Sequence, residues 1–126
     1  MLAGARLMAF IPVSDLSVAR HFYVSTLGLT VTDESQFALV VDANGTMLRL
    51  TPVPDFRPQP FAIAGWAVAD IESTVDALVS AGITFNRYDG MEQDAKGIWE
   101  SPGGDSVAWF LDPDGNTLSL TGFGHG

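Results

Sequence analysis

One grammar of strand, helix and hairpin is written twice in this chain, about 55 residues apart, and nothing else in the sequence restricts the fold as much. In the first copy, Leu7 to Val13 is an apolar segment of strand type, and Ser14 or Asp15 can cap a following helix by accepting from its free N–H groups. Leu16, Ala19, Phe22, Tyr23 and Leu27 recur at helical spacing, Gly28 can take the left-handed conformation that ends a helix, and Leu29 to Val31 opens a strand. In the second copy, Ala64 to Val68 is the strand and Asp70 the cap. Ile71, Val75, Leu78 and Val79 mark the helix face, Gly82 the stop, and Ile83-Thr84-Phe85 the next strand. Each copy then closes in a hairpin: residues 42–50 (DANGTMLRL) lie over residues 112–120 (DPDGNTLSL). Asn-Gly and Asp-Gly are strong turn dipeptides because these residues tolerate positive φ. Leu39-Val40-Val41 and residues 108–111 (AWFL) lead into the turns.

Each half therefore reads strand, helix, three strands. Two such βαβββ modules must bury their helix faces on sheet and leave a concave inner face. The fold class that follows is α+β, with a cupped mixed β-sheet. Residues 7–122 form one domain, with repeat one over about 7–51 and repeat two over about 61–122. The connector, 52–60, holds four of the chain's prolines together with Phe56 and Arg57. Proline removes backbone donors and fixes φ, so this stretch is extended rather than an element. Residues 87–105 form a long Gly-rich, acidic stretch, the kind of loop that often covers a ligand.

Composition narrows the function classes. The chain has no cysteine, which removes disulfides, thiolate metal sites and thiol catalysis. No apolar run approaches the ~20 residues that cross a bilayer, and no signal peptide is legible, so a cytoplasmic protein is expected. The formal net charge of −9 opposes nucleic acid and anionic membranes as partners. Seven acids (Asp89, Glu92, Asp94, Glu100, Asp105, Asp112, Asp114) crowd residues 89–114. They serve solubility, or else a negative potential that draws in a cationic small molecule.

Residues 13–29, with Val13-Ser14-Asp15, Ala19-Arg20, Phe22-Tyr23 and Leu27-Gly28-Leu29, resemble the first-repeat signature of the glyoxalase, bleomycin-resistance and extradiol-dioxygenase superfamily, the vicinal oxygen chelate group. Residues 110–118 (FLDPDGNTL) resemble its second-repeat hairpin, and with Val68-Ala69-Asp70-Ile71 the likeness runs from about residue 7 to 122. Such signatures speak for the fold far more than for a reaction. The resemblance implies paired modules, commonly a homodimer, with a cavity in each cup. Many members hold a divalent ion there through His, Glu or Gln, and the ion polarises two neighbouring substrate oxygens.

Carried onto this sequence, the family's four ligand positions fall on Met8, Arg49, Ile63 and Ser119. Alkyl and guanidinium groups offer a cation no lone pair, and a lone thioether or hydroxyl is a poor ligand. Moving one residue either way brings no donor of the right kind. The two histidines, His21 in the first helix and His125 in the terminal tail, are read as structural and tail residues. Asp112 to Asn116 has a superficial likeness to a calcium loop, but its glycine stands fourth rather than sixth, so it is read as a turn. No metal and no cofactor are expected.

Strand alternation then names a ligand-facing set. Met8 goes with Phe10, and Met47 with Arg49 and Thr51. Gly65 and Ala67 follow Ile63, while Thr117 and Thr121 follow Ser119. The resemblance places Trp109 toward the pocket with Val107 beside it, Leu39 being its repeat-mate. Trp99 shares that parity if no bulge intervenes, whereas Trp66 falls on the helix side. Buried, Arg49 needs a partner, either a structural acid such as Glu100 or Asp105, or a ligand carboxylate or phosphate. The expected ligand-binding residues are Met8, Phe10, Met47, Arg49, Ile63, Trp99, Val107, Trp109, Thr117 and Ser119, with no catalytic residue among them. The function expected is metal-free binding of a small, partly aromatic molecule, similar to drug-binding members of the family. The alternative is an enzyme of the same superfamily, for which Tyr23, Tyr88 and the loop acids are the acid–base candidates.

Overall fold

The computed structural model describes residues 1–124, and His125 lies outside them. The chain divides into two compact units, residues 1–57 and residues 58 onward, parted within the proline-rich connector. Each carries one four-stranded sheet.

In the first unit the strands are β1 (Met8–Val13), β2 (Thr30–Glu34), β3 (Leu39–Ala43) and β4 (Thr46–Pro52), ordered β1-β4-β3-β2. β1 runs parallel to β4 and the other pairs are antiparallel, so the sheet is mixed. Asp15, not Ser14, caps helix α1 (Leu16–Arg20), with its carboxylate accepting from the Ser17 and Val18 N–H groups. The expected single helix is in fact two pieces: α1 hands over to a π-helical segment, His21–Thr26, in which the Leu27 N–H donates to the Phe22 carbonyl. The wider turn goes with burial of two consecutive aromatics, Phe22 and Tyr23, whose rings meet edge-on at 5.0 Å. With Ala19 they join Ile11, Val13, Leu39, Val41, Leu48 and Leu50 in the core.

The second unit holds β5 (Ala62–Ala67), α2 (Ile71–Ser80), β6 (Trp99–Glu100), β7 (Ser106–Leu111) and β8 (Thr117–Gly122), in sheet order β5-β8-β7-β6. Asp70 caps α2 as expected. Val75 is the buried residue of that helix, and Val79, expected on the inner face, is exposed. The strand expected from Ile83 is reduced to one bridge, Phe85 to Phe110, and the edge-strand place passes to the two residues of β6. The intervening loop is fixed by its own side chains. Gln93 donates to the Asn86 and Gly97 carbonyls and accepts from the Tyr88 N–H, while Arg87 donates to the carbonyls of Asp94 and Ala95. Among the described residues no helix is long and apolar enough to cross a membrane.

The two hairpins do not superpose residue for residue, contrary to expectation. In the first, Ala43 pairs with Thr46 across a two-residue turn, with Asn44 at φ 50° and Gly45 at φ 96°. Pro113 stands where Ala43 stands in the first copy and has no N–H to give to the ladder, so the second copy cannot repeat the pair that closes the first turn. It forms a longer loop between Leu111 and Thr117, closed by Asp112. The Asp112 carboxylate accepts from the Asp114 and Asn116 N–H groups and from Asn116 Nδ2, bonds that close the turn. With the two copies aligned without a gap, pairing in the second hairpin is shifted by one. Trp109 faces Ser119, but Arg49, the repeat-mate of Ser119, faces Val40. Leu39 instead pairs with Leu50 in the core, 1% exposed, and is corrected from a pocket-facing to a core residue.

Candidate functional site: two open sheet faces

In each unit the helix covers one face of its sheet and the other face carries the candidate residues. On the first sheet, Met8 pairs with Met47 and Phe10 with Arg49. Met8, Phe10 and Met47 are 40%, 62% and 43% exposed, so strand alternation assigned them correctly to the open face. Arg49 lies among them, partly buried. Its side chain makes no ion pair, hydrogen bond or ring contact with the described residues of its own unit. In the second unit, the Asp105 carboxylate accepts from the Gly124 N–H.

On the second sheet, Gly65 pairs with Ser119 and Ser119 with Trp109. Trp99 pairs with Val107, whose other neighbour is Thr121. No bulge separates the tryptophans, and their rings lie 6.2 Å apart, tilted by 38°. Tyr88 adds a third ring, edge-on to Trp109 at 5.6 Å. Sequence reasoning missed this role, because Tyr88 comes from the loop, where alternation has no meaning. Its hydroxyl accepts from Asn86 Nδ2. Gly65 has a structural reason: a Cβ there would meet Ser119 Oγ at 2.3 Å, so the serine side chain lies across the bare backbone. Ile63 sits at an irregularity between Ala62 and Ala64, which pair with Thr117 and Leu118, and is 39% exposed. Thr117, expected to be open, is only 5% exposed. It is reached along a groove of about 290 Å³ bordered by Pro58, Gln59, Pro60, Tyr88 and Leu111.

The acidic stretch is partly structural. Asp94 accepts from the Lys96 and Ile98 N–H groups, and Asp112 closes its turn. Asp94 also lines a cleft of about 620 Å³ with Asp70, Glu72, Glu92, Glu100 and Phe123. Tyr23 is fully buried and His21 is an exposed helical residue. Neither offers acid–base chemistry to an open face.

The metal that the fold implies does not fit the residues present. Its positions carry a thioether, a guanidinium, an alkyl group and a hydroxyl, and no three His, Cys, Asp or Glu side chains gather to hold an ion among the described residues.

Comparison with known proteins agrees with this architecture. The Glyoxalase/Bleomycin resistance protein/Dioxygenase superfamily model matches residues 5–120, and the chain belongs to that superfamily. A superfamily member from Sphaerobacter thermophilus DSM 20745 superposes with TM-score 0.75 at 26% identity, covering 97% of this chain and 99% of that one. TnmS3, an antibiotic binding protein from Streptomyces sp. CB03234, gives 0.73 at 25% identity, covering 98% of each chain. SMU.1112c gives 0.78 at 21% identity over 94% of this chain and 98% of that one, a likeness of fold alone. No curated protein matches significantly.

Proposed function

We propose that this chain binds a small, partly aromatic molecule on the open face of its second sheet, without a metal. The observation that carries the reading is the trio of Tyr88, Trp109 and Trp99 beside Ser119. Indole and phenol rings give broad apolar surface at little conformational cost, each with one polar handle, and they suit a flat ligand. Ser119 supplies a hydroxyl next to Trp109, and Val107 extends the apolar surface. The likeness to TnmS3, itself an antibiotic binding protein, supports binding over catalysis. So does the donor set at the ligand positions, which cannot take part in the metal-assisted chemistry of other members.

The test is a fluorescence and calorimetric titration with planar aromatic compounds, both cationic and neutral, against wild type, Trp109→Ala and Trp99→Ala. Saturable quenching by at least one compound is expected, weakened about tenfold or more in Trp109→Ala, with Zn²⁺, Ni²⁺ and Mn²⁺ altering neither affinity nor melting midpoint. Stoichiometric metal retained after dialysis, or binding indifferent to both tryptophans, would overturn the reading.

A further inference from the structure

We propose that Gln93 is a positioning residue: its side-chain amide sets the Tyr88 ring against Trp109 and so tightens the ligand binding proposed above, on which this role rests. Tyr88 comes from the irregular segment between Phe85 and β6, and a ring on a loop stands only as firmly as the backbone beneath it. A primary amide carries an acceptor oxygen and two N–H donors in one plane. Gln93 uses all three. Its Oε1 accepts from the Tyr88 N–H at 2.8 Å, and its Nε2 donates to the Asn86 and Gly97 carbonyls at 2.9 Å each. These partners admit one orientation of the amide, since a flip would set its oxygen against two carbonyls and its NH₂ against an N–H.

The same node touches every ring of the trio. The Gln93 backbone bridges to Trp99, the first residue of β6. Asn86 donates its N–H to the Trp109 carbonyl at 2.8 Å and its Nδ2 to the Tyr88 hydroxyl at 3.0 Å. Tyr88 is therefore held at its backbone by Gln93 and at its hydroxyl by Asn86, with its ring edge-on to Trp109 at 5.6 Å. The other anchors of the loop point elsewhere: Arg87 donates to the Asp94 and Ala95 carbonyls, and Lys96 pairs with Asp76 of α2. Those bonds fasten the loop, whereas the Gln93 amide is spent on the residues that flank and carry the ring. Without it Tyr88 would have to be ordered each time a ligand arrived, and immobilising one such side chain weakens binding about threefold to tenfold.

The test follows the indole N–H signals of the full chain by NMR, and its affinity for one probe, the planar aromatic cation 9-aminoacridine. The chain has three tryptophans, and Trp66 serves as the reference for Trp99 and Trp109. Tyr88→Leu removes the ring and should move the Trp109 signal. Gln93→Met, close in size but with no amide, should move it in the same direction and most of the way. Gln93→Glu keeps an acceptor for the Tyr88 N–H but sets anionic oxygen against two carbonyls. It should move the signal likewise, and decides the matter if Gln93→Met does not fold. Lys96→Met loosens the same loop without touching Tyr88 and should leave signal and affinity in place. Gln93→Met and Tyr88→Leu should each weaken 9-aminoacridine about threefold to tenfold, and the double variant no more than Tyr88→Leu alone. A Trp109 signal unmoved in both Gln93 variants, or unmoved in Tyr88→Leu itself, would overturn the inference. So would an equal loss in Lys96→Met, or a Gln93 effect that persists in full once Tyr88 is gone. If 9-aminoacridine fails to bind, or binds indifferently to Trp109→Ala and Trp99→Ala, the binding reading loses its support, while the Trp109 signal by itself still decides whether Gln93 sets Tyr88.

Discussion

Replacing Gly65 by alanine probes the contact that joins β5 to the centre of the second sheet. Glycine inside a strand normally costs about 0.5–1 kcal/mol relative to alanine, so with open space above it Gly65→Ala would stabilise the protein. The space is not open. The new methyl would lie 2.3 Å from Ser119 Oγ, 3.0 Å from the Ser119 carbonyl oxygen and 3.5 Å from its Cβ. Rotating Ser119 moves the hydroxyl away, at about 0.5–1.5 kcal/mol if the new χ1 is strained. The carbonyl contact remains, and it is relieved only if the two strands separate by a few tenths of an ångström. Overpacking of this kind costs about 1–3 kcal/mol, so we expect a net loss of about 2 kcal/mol, opposite in sign to the propensity term. Urea unfolding followed by tryptophan fluorescence measures it, since Trp109 is paired with Ser119. In a Ser119→Ala background the Oγ clash disappears, and Gly65→Ala should cost about 1 kcal/mol less than it does alone. The argument is refuted if the two changes add to within about 0.3–0.5 kcal/mol, or if Gly65→Ala alone stabilises.

Two further outcomes follow from the core and from the first helix cap. Phe110 is fully buried, its ring 5.4 Å from that of Phe85, so Phe110→Ala should cost about 3–5 kcal/mol by urea unfolding, whereas Phe85→Leu should cost much less. The Asp15 carboxyl is held below the usual range by the Ser17 hydroxyl first, then by the Val18 and Ser17 N–H groups. Its folded pKa lies below its unfolded one, so its stabilising contribution is complete at neutral pH and is lost as pH falls through the folded value. The stability gap between wild type and Asp15→Ala should therefore be largest near neutrality and narrow below about pH 4, as read from urea midpoints across pH.

The sequence determined by itself whatever depends on neighbours along the chain. Asp15 and Asp70 cap their helices, and Gly28 and Gly82 take positive φ where the helices stop. Asn44-Gly45 makes its tight turn, and alternation along β1, β4 and β7 puts Met8, Phe10, Met47, Arg49 and Trp109 on open faces. Each is a matter of a few dihedral angles or a two-residue period, and so it is legible locally. Which side chains stand at the family's ligand positions was legible too, because it is a question of which atoms carry lone pairs.

Only the tertiary structure decided what depends on pairing between distant segments. Pro113 has no N–H with which to repeat the Ala43–Thr46 pair, but how far β7 would then slip against β8 was settled by Asp112 gathering three N–H donors around its carboxylate. That slip of one residue sends Leu39 into the core while Trp109 stays open. The edge of the second sheet fell to Trp99 and Glu100 rather than to Ile83, since side-chain bonds from Gln93 and Arg87 hold the loop in its own shape. Tyr88 reached Trp109 from that same loop. That the Arg49 side chain would stand beside Phe10 and Val40 with no acid of the described residues of its own unit paired to it was likewise a fact of three dimensions.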